Sequence, residues 1–593
     1  MTLLRRSPAA VAAILAGAVF VAAACGQEET RGKFEDGPTF GVDASVDEPP
    51  PCGLRCSIDG RAVVQECTGE VVETCPPELA CGAGACMEPC AAAVADPSSH
   101  GCAFYLQPPR FSKLMPYNCY AAFVVNASLQ PAKIALEIEG KSLDLTRSTY
   151  RTSPGTAELT PHEGDVAPGE SVVIFISDRH PDVTPSPWEE LLKSRAACPK
   201  GVVPVTYTDG FPDGTGLGWS YRLSSNVPVS TTTIYPFGGI GAHVPTATLL
   251  LPVGTWAKEH MLVNGWSASS IGFGGSYPAA QIIASEDDTE VTLVPKRDVQ
   301  PGIGVIGGRA DTSLKYRLAK GQHLQLYQAE ELTGSTVSSN KPTSVVGGHH
   351  CANIGYGACE ILAQQIPAYE QWGAEYVAVG YRPRLGNEHE PLIYRIVAAR
   401  DGTRLDYDPA IPAGAPVTLS AGESVLFEAG TGDAFVVRTQ DVDHPIYLAA
   451  YMTGASTYGE QGDPEFVNVV PAKQYMSSYA FYADPSYAET SLVVVRAKSG
   501  GTFHDVWLEC AGNLTKWSPV GTRGEYEFAR VDLQRRGGPG ETFGTTACQV
   551  GLQRMRSEGP FTATLWGWGY YASYAYPGGM AHRKLVEVPL TVH

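Results

Sequence analysis

The sequence predicts an all-β protein: tandem β-sandwich-like units in the body, preceded by a small disulfide-rich module. Three observations lead there. Apolar and polar residues alternate in KIALEIEG (133–140), TEVTLVP (289–295), HLQLYQ (323–328) and SVLFEA (424–429), the period of a half-buried strand. Glycine and proline are abundant, at 64 and 45 residues, while helical periodicity is scarce. Phrases also recur in a fixed order along the chain, which is the mark of repeated units.

The N-terminus comes first. MTLLRRSPAAVAAILAGAVFVAAAC has Arg5 and Arg6, an apolar run from Pro8 to Ala24, and then Cys25. Residues 1–24 therefore read as a secretory signal peptide. A cysteine after Ala22-Ala23-Ala24 resembles a bacterial lipobox, although Leu is usual where Ala22 stands. Cys25 is the expected lipidation site, palmitate included, with ordinary signal cleavage as the alternative. Gly26 after it fits outer-membrane sorting. Residues 25–51 then carry seven acids, two bases and a closing Pro-Pro-Pro, a composition that makes a tether rather than a core.

Fifteen cysteines become fourteen once Cys25 is set aside, an even number that implies disulfides in an exported chain. Seven fall within 52–90: Cys52, Cys56, Cys67, Cys75, Cys81, Cys86 and Cys90. So short a segment needs cross-links to hold itself together, and residues 52–102 read as a disulfide-rich module. Seven is odd, so at least one bond leaves the segment, with Cys102, Cys119 and Cys198 as candidates. Zinc is the rival reading, but 52–90 holds no histidine.

The body, 103–593, repeats. A glycine turn enters a strand in APGESVVIFIS (167–177), AKGQHLQLYQA (319–329) and SAGESVLFEAG (420–430). A polar turn, a proline and an apolar strand recur at Pro228, Pro342, Pro445 and Pro560. A period near 110 residues is too long for a solenoid and suits one sandwich per repeat. The proline fits the first residue of a strand, where its missing N–H harms no ladder. Approximate units are 103–240, 241–355, 356–455 and 456–593. A β-propeller-like arrangement is the alternative. WEELLKSRA (188–196) is the best short helix.

GGHHCANIGYGACE (347–360) poses the sharpest chemical question. Cys351 and Cys359 read as a local staple. A zinc site with His349 and His350 is disfavoured, because adjacent residues on a strand face opposite ways. A Cys–His nucleophile needs a free thiol. Cys510 and Cys548 read as a second staple.

No GxSxG, HExxH, Walker or EF-hand pattern occurs. No catalytic residue, metal or cofactor is expected. A net charge of −19 disfavours nucleic acid as a partner. Glu286-Asp287-Asp288 and Asp463-Pro464-Glu465 are the best calcium candidates, and solvated turns are the simpler reading. In FTATLWGWGYY, Trp566, Trp568 and Tyr570 share one strand face and form a candidate ligand platform; burial of both faces is the competing reading.

Several separated segments resemble the IgGFc-binding protein N-terminal domain family, in its bacterial, myxobacterial-type surface lipoprotein members. They are TLLLP (248–252), ELTGSTVSSNKP (331–342), GHHCANIGYGACEILAQQIPAYEQWG (348–373), GDPEFVNVVPAKQYMSSYAFYADPSY (462–487) and GWGYYASYAYPGG (567–579). Glu331 replaces the usual Asp before LTG. Glu360-Ile-Leu-Ala-Gln-Gln departs from a more acidic family pattern. The resemblance implies an extracellular binding or adhesion module. Its expected partner is a glycan, glycoconjugate or protein, and its membrane link is the lipid at Cys25. The expected location is the cell envelope, surface-exposed on the outer membrane. The alternative is a glycosidase-like envelope hydrolase using paired carboxylates on β-scaffold loops.

Overall fold

Four long strands, each interrupted or preceded by one of the recurring prolines, organise the molecule. We describe them from a computed structural model covering residues 52–590, except 116, 186–195, 209, 239–243, 270–274 and 356–357. The signal peptide, Cys25, the tether and nearly all of WEELLKSRA fall outside the described residues. Among the described residues the one α-helix is Pro89–Ala95, and no helix is long and apolar enough to cross a membrane.

The disulfide-rich module is a three-stranded sheet (Leu54–Cys56, Ala62–Gln65, Val71–Thr74), a hairpin (Ala80–Gly82, Ala85–Met87) and that short helix. Pro89 at the helix start loses no hydrogen bond, and Glu88 caps it by accepting from the Ala91 N–H at 2.9 Å. Cys56–Cys81 and Cys75–Cys86 tie the module internally. Cys90–Cys102 leaves the 52–90 segment and fastens it to the strand Gly101–Leu106, where the module runs into the body. Cys52 and Cys67 are disulfide-bonded as well.

Each body unit has two layers, and the proline marks the crossing between them. We label the long strands and the strands that follow them β1 (Tyr221–Tyr235), β2 (Thr246–Leu249), β3 (Thr336–Ala352), β4 (Glu360–Ile366), β5 (Ile446–Met452), β6 (Glu465–Asn468), β7 (Gly551–Gly569) and β8 (Ala572–Pro577). The first half of β1 pairs with 101–106 and 134–138. Its second half pairs with 120–125, and the register shifts between Ser224 and Val229, around Pro228. β3 changes partners in the same way, at Pro342. β7 does so across Pro560. In the third unit the strand is cut in two: Phe435–Thr439 lies in one four-stranded sheet and β5 in another, with Pro445 immediately before β5. A residue without an N–H sits where the ladder has to change partners. In three units it therefore lies inside a long strand, and only Pro445 stands just ahead of one.

Each unit closes with a hairpin onto the strand after the long one: β1 with β2, β3 with β4, β5 with β6, β7 with β8. The sheets thus end at 249, 366, 468 and 577, later than the boundaries at 240, 355 and 455 drawn from the proline phrase. The reason is that the phrase marks the layer crossing, and each sheet needs one more strand.

The four closing strands pack on one another in cyclic order: β2 on β4, β4 on β6, β6 on β8, β8 on β2. The hydrophobic clusters follow the same cycle. One joins the first and second units through Val229, Ile283 and Ile361. One joins the second and third through Leu326, Trp372 and Tyr451. One joins the third and fourth through Tyr381, Leu448 and Trp566. The last joins the fourth back to the first through Phe123, Tyr482 and Leu565. Residues from Gly53 on accordingly form one compact unit in which sandwiches share cores with their neighbours.

Candidate functional site

An open groove of about 680 Å³ lies between the second and third units. Unit two supplies Lys296 and Arg297, just past the strand Thr289–Val294, and the Glu330–Thr333 stretch after Gln322–Tyr327. Unit three supplies Arg395 from the strand Pro391–Ala398, the Ser420–Glu423 turn, and Ser424 and Leu426 from the strand Ser424–Gly430. The ELTG segment is therefore one wall.

Charge pairing builds the groove. Arg395 is 1% exposed and donates to the Glu331 carboxylate and, at 3.2 Å, to Thr333 Oγ1. Thr333 in turn donates to Glu331 at 2.6 Å. A buried guanidinium needs such a fork of acceptors to offset its lost hydration. Lys296 Nζ donates to the Ala421 carbonyl at 3.1 Å, bridging the two units. Two glycines meet at the base. Gly334 has φ +88° and Gly422 φ +68°, and neither has room for a Cβ against the other's backbone.

A second constellation lies where closing strands meet. Glu360, Asp463 and Glu465 are each wholly buried. Glu465 Oε1 accepts from its neighbour Phe466 N–H at 2.9 Å and from Thr246 Oγ1 at 3.3 Å. The Glu360 and Asp463 carboxyls engage each other, and the Ala455 backbone faces Asp463. Burial, then the neighbouring Asp463 and Glu465, raises Glu360 well above the usual carboxylate range. Burial lifts Asp463 to about 7 and Glu465 well above its ordinary value. Arg384 pulls Asp463 down, but its guanidinium is taken by Glu390 at 2.6 Å. Burial and crowding thus favour the protonated form of these acids. Among the described residues no three His, Cys, Asp or Glu side chains are arranged to hold a metal ion. These acids do not line the groove.

Asp463-Pro464-Glu465 is thus not a solvated turn: the packing of β6 between β4 and β8 buries it. Glu286–Asp288 does lie on an exposed turn, with Asp288 paired to Arg317 at 2.7 Å. Cys351 and Cys359 are bonded to each other and staple the β3–β4 hairpin. His349 Nε2 meets the Ser267 carbonyl at 3.0 Å, while His350 Nδ1 meets the Tyr327 hydroxyl at 2.6 Å, so the two rings engage different partners. Burial lowers them to about 3 and about 4, leaving both neutral. Cys510–Cys548 and Cys119–Cys198 are bonded pairs.

The aromatic platform is not there. Trp566 and Trp568 are each 1% exposed, and Tyr381 packs on them at 4.9 and 5.8 Å, because β7 lies against the third unit. Arg382 covers Trp568 at 4.8 Å. Tyr570 alone is open, at 54%. Arg395 was missed in the sequence; an arginine inside the apolar run LIYRIVA was the available signal.

Comparison with known proteins adds relationship to geometry. A family profile described as IgGFc binding protein matches residues 246–567, more than half of the chain and both walls of the groove. A human protein named IgGFc-binding protein is 25% identical over 399 residues. That match covers 64% of this chain but only 6% of the human protein.

Proposed function

The chain belongs to the IgGFc-binding protein family, and from that premise we propose that it is a non-enzymatic binding and adhesion module for an extracellular protein or glycoconjugate. The groove between the second and third units is its ligand site, and a lipid on Cys25 tethers it to the cell envelope, facing outward on the outer membrane. One observation carries this reading. An open groove of about 680 Å³ is built by the ELTG wall and Arg395, inside the matched region. Its volume is that of a ligand site, typically about 300–1,000 Å³.

The test is a binding screen of the full chain against immobilised glycans, mucins, envelope polysaccharides and IgG Fc, with and without EDTA. Fc is one arm because the human relative is named for it. Small products are assayed in parallel. Saturable binding that weakens in Arg297→Glu supports the reading. Product release would overturn it in favour of the hydrolase. Cys25→Ala tests the tether separately: acyl labelling and membrane fractionation should both be lost.

A further inference from the structure

The groove has a feature that its charges alone do not explain: an unpaired sheet edge runs along it. Ser424–Gly430 is the outer strand of its four-stranded sheet, with Pro391–Ala398 as its one strand neighbour. The ladder begins at a bulge, where the Gly422 N–H donates to the Ala398 carbonyl at 2.8 Å and the Ala398 N–H donates to the Glu423 carbonyl at 3.1 Å. From there the register is regular, Ser424 opposite Val397 through Gly430 opposite Pro391. Antiparallel alternation then turns the backbone groups of Val425, Phe427 and Ala429 towards the neighbour. Those of Ser424, Leu426 and Glu428 point away from the sheet. Ser424 and Leu426 line the groove, and the Leu426 side chain is 40% exposed.

We propose that this edge takes up an extended peptide segment of a protein ligand, which adds a strand beside Ser424–Gly430 within the groove. The proposal rests on the groove being the binding site. Strand addition draws affinity from main-chain hydrogen bonds and selectivity from flanking side chains. Among the described residues neither Lys296 nor Arg297 has a carboxylate partner, so an acidic side chain of the ligand pairs with them. Two facts separate this occupant from a sugar. No aromatic residue lines the groove, so it offers no stacking face. Its three cations share the groove with Glu330, Glu331 and Glu423, and among the described residues only Arg395 of the three is ion-paired, to Glu331, so there is a place for one acidic side chain and not for a polyanionic glycan.

The experiment selects short random peptides displayed on phage against the full chain, then measures synthetic versions by fluorescence anisotropy. A glycan array is probed alongside. Enriched peptides should carry Asp or Glu and lose affinity by at least about tenfold when alternate backbone nitrogens are N-methylated. Leu426→Pro removes one outward N–H and no ladder bond, so it should keep the wild-type melting curve and bind as weakly. If that variant fails to fold, the N-methylated peptides on wild-type protein still decide. Equal binding of methylated and unmethylated peptides overturns strand addition, and so does the absence of any enriched peptide. Glycan binding that Arg297→Glu abolishes, with no peptide bound, overturns strand addition but leaves the groove as the site. Glycan or mucin binding that Arg297→Glu leaves intact, with no peptide enriched, overturns both.

Discussion

Gly334 and Gly422 touch backbone to backbone across two units: a Cβ on Gly334 would run into the Gly422 carbonyl, and one on Gly422 would sit 2.7 Å from the Gly334 carbonyl oxygen. Both have left-handed φ. Gly334→Ala therefore adds a clash to a conformational penalty of about 1–2 kcal/mol. We expect a loss of at least about 2 kcal/mol in urea unfolding. An unchanged midpoint would mean that the two units do not abut here.

The acid cluster predicts a pH dependence of definite sign. Glu360, Asp463, Glu465 and also Asp484 have folded-state pKa values raised by burial. Such groups give stability that is complete below the unfolded value, 3.8 for the aspartates and 4.5 for the glutamates, and is lost as pH rises through the folded value, about 7 for Asp463 and about 6 for Asp484. The groups facing them are Arg384 and the tyrosines Tyr487 and Tyr574. Glu360→Gln removes one ionisation. Its stability relative to wild type should rise as the pH climbs above the ordinary carboxylate value of 4.5, by at most about 1.4 kcal/mol per unit. A pH-independent difference would show Glu360 ionised in the fold.

Buried histidines act in the opposite sense at lower pH. His100, His260 and His350 are lowered to about 4, and His323, His349 and His582 to about 3, all by burial. The unfolded chain takes up protons near 6.5 and the fold does not, so stability falls as pH drops below that value. Thermal unfolding across pH 4–9 should give a maximum near 6–7, and a monotonic curve would contradict one of the two groups.

Trp568→Ala tests the seam between the third and fourth units. A buried tryptophan packed on Tyr381 and Arg382 should cost about 3–5 kcal/mol on truncation. A surface platform residue would cost almost nothing and change ligand binding instead.

The disulfides should rank by the loops they close. Cys119–Cys198 spans 79 residues and Cys351–Cys359 spans 8. The loop-entropy relation gives about 4.5 and about 2.5 kcal/mol. Paired Cys→Ala variants, compared by denaturant midpoint, should keep that order; the reverse would point to strain rather than chain entropy.

What could be read ahead of the structure depended on how far each signal reaches. Alternation and the proline phrase are local, so strands and sandwich character were visible. The same phrase misplaced unit ends, because nothing in Pro228 or Pro342 says that β2 or β4 belongs behind it. Alternation placed Trp566 and Trp568 on one face correctly. It carried no information about the neighbouring unit that covers that face. Glu360 and Glu465 stand far apart in sequence, and only the alignment of β4 with β6, through the recurring IPAYEQW and VPAKQY, would have put them together. Gln371 and Gln474 in those phrases bond from one repeat to the next, Gln371 Nε2 to the Thr255 carbonyl at 2.6 Å and Gln474 Nε2 to the Gln371 carbonyl at 3.1 Å. The ELTG wall is legible as one contiguous segment, whereas Arg395 is brought opposite it only by the fold.

The cyclic order of the four sandwiches sets how the gene can change. The Ser99 N–H donates to the Met580 carbonyl at 2.9 Å, so the two ends of the cycle already meet. Removing or duplicating one repeat would expose two apolar seams that no remaining neighbour could cover. A cut and rejoining that moves the termini from the first–fourth seam to another would keep every seam. Four is thus a closed number for this architecture.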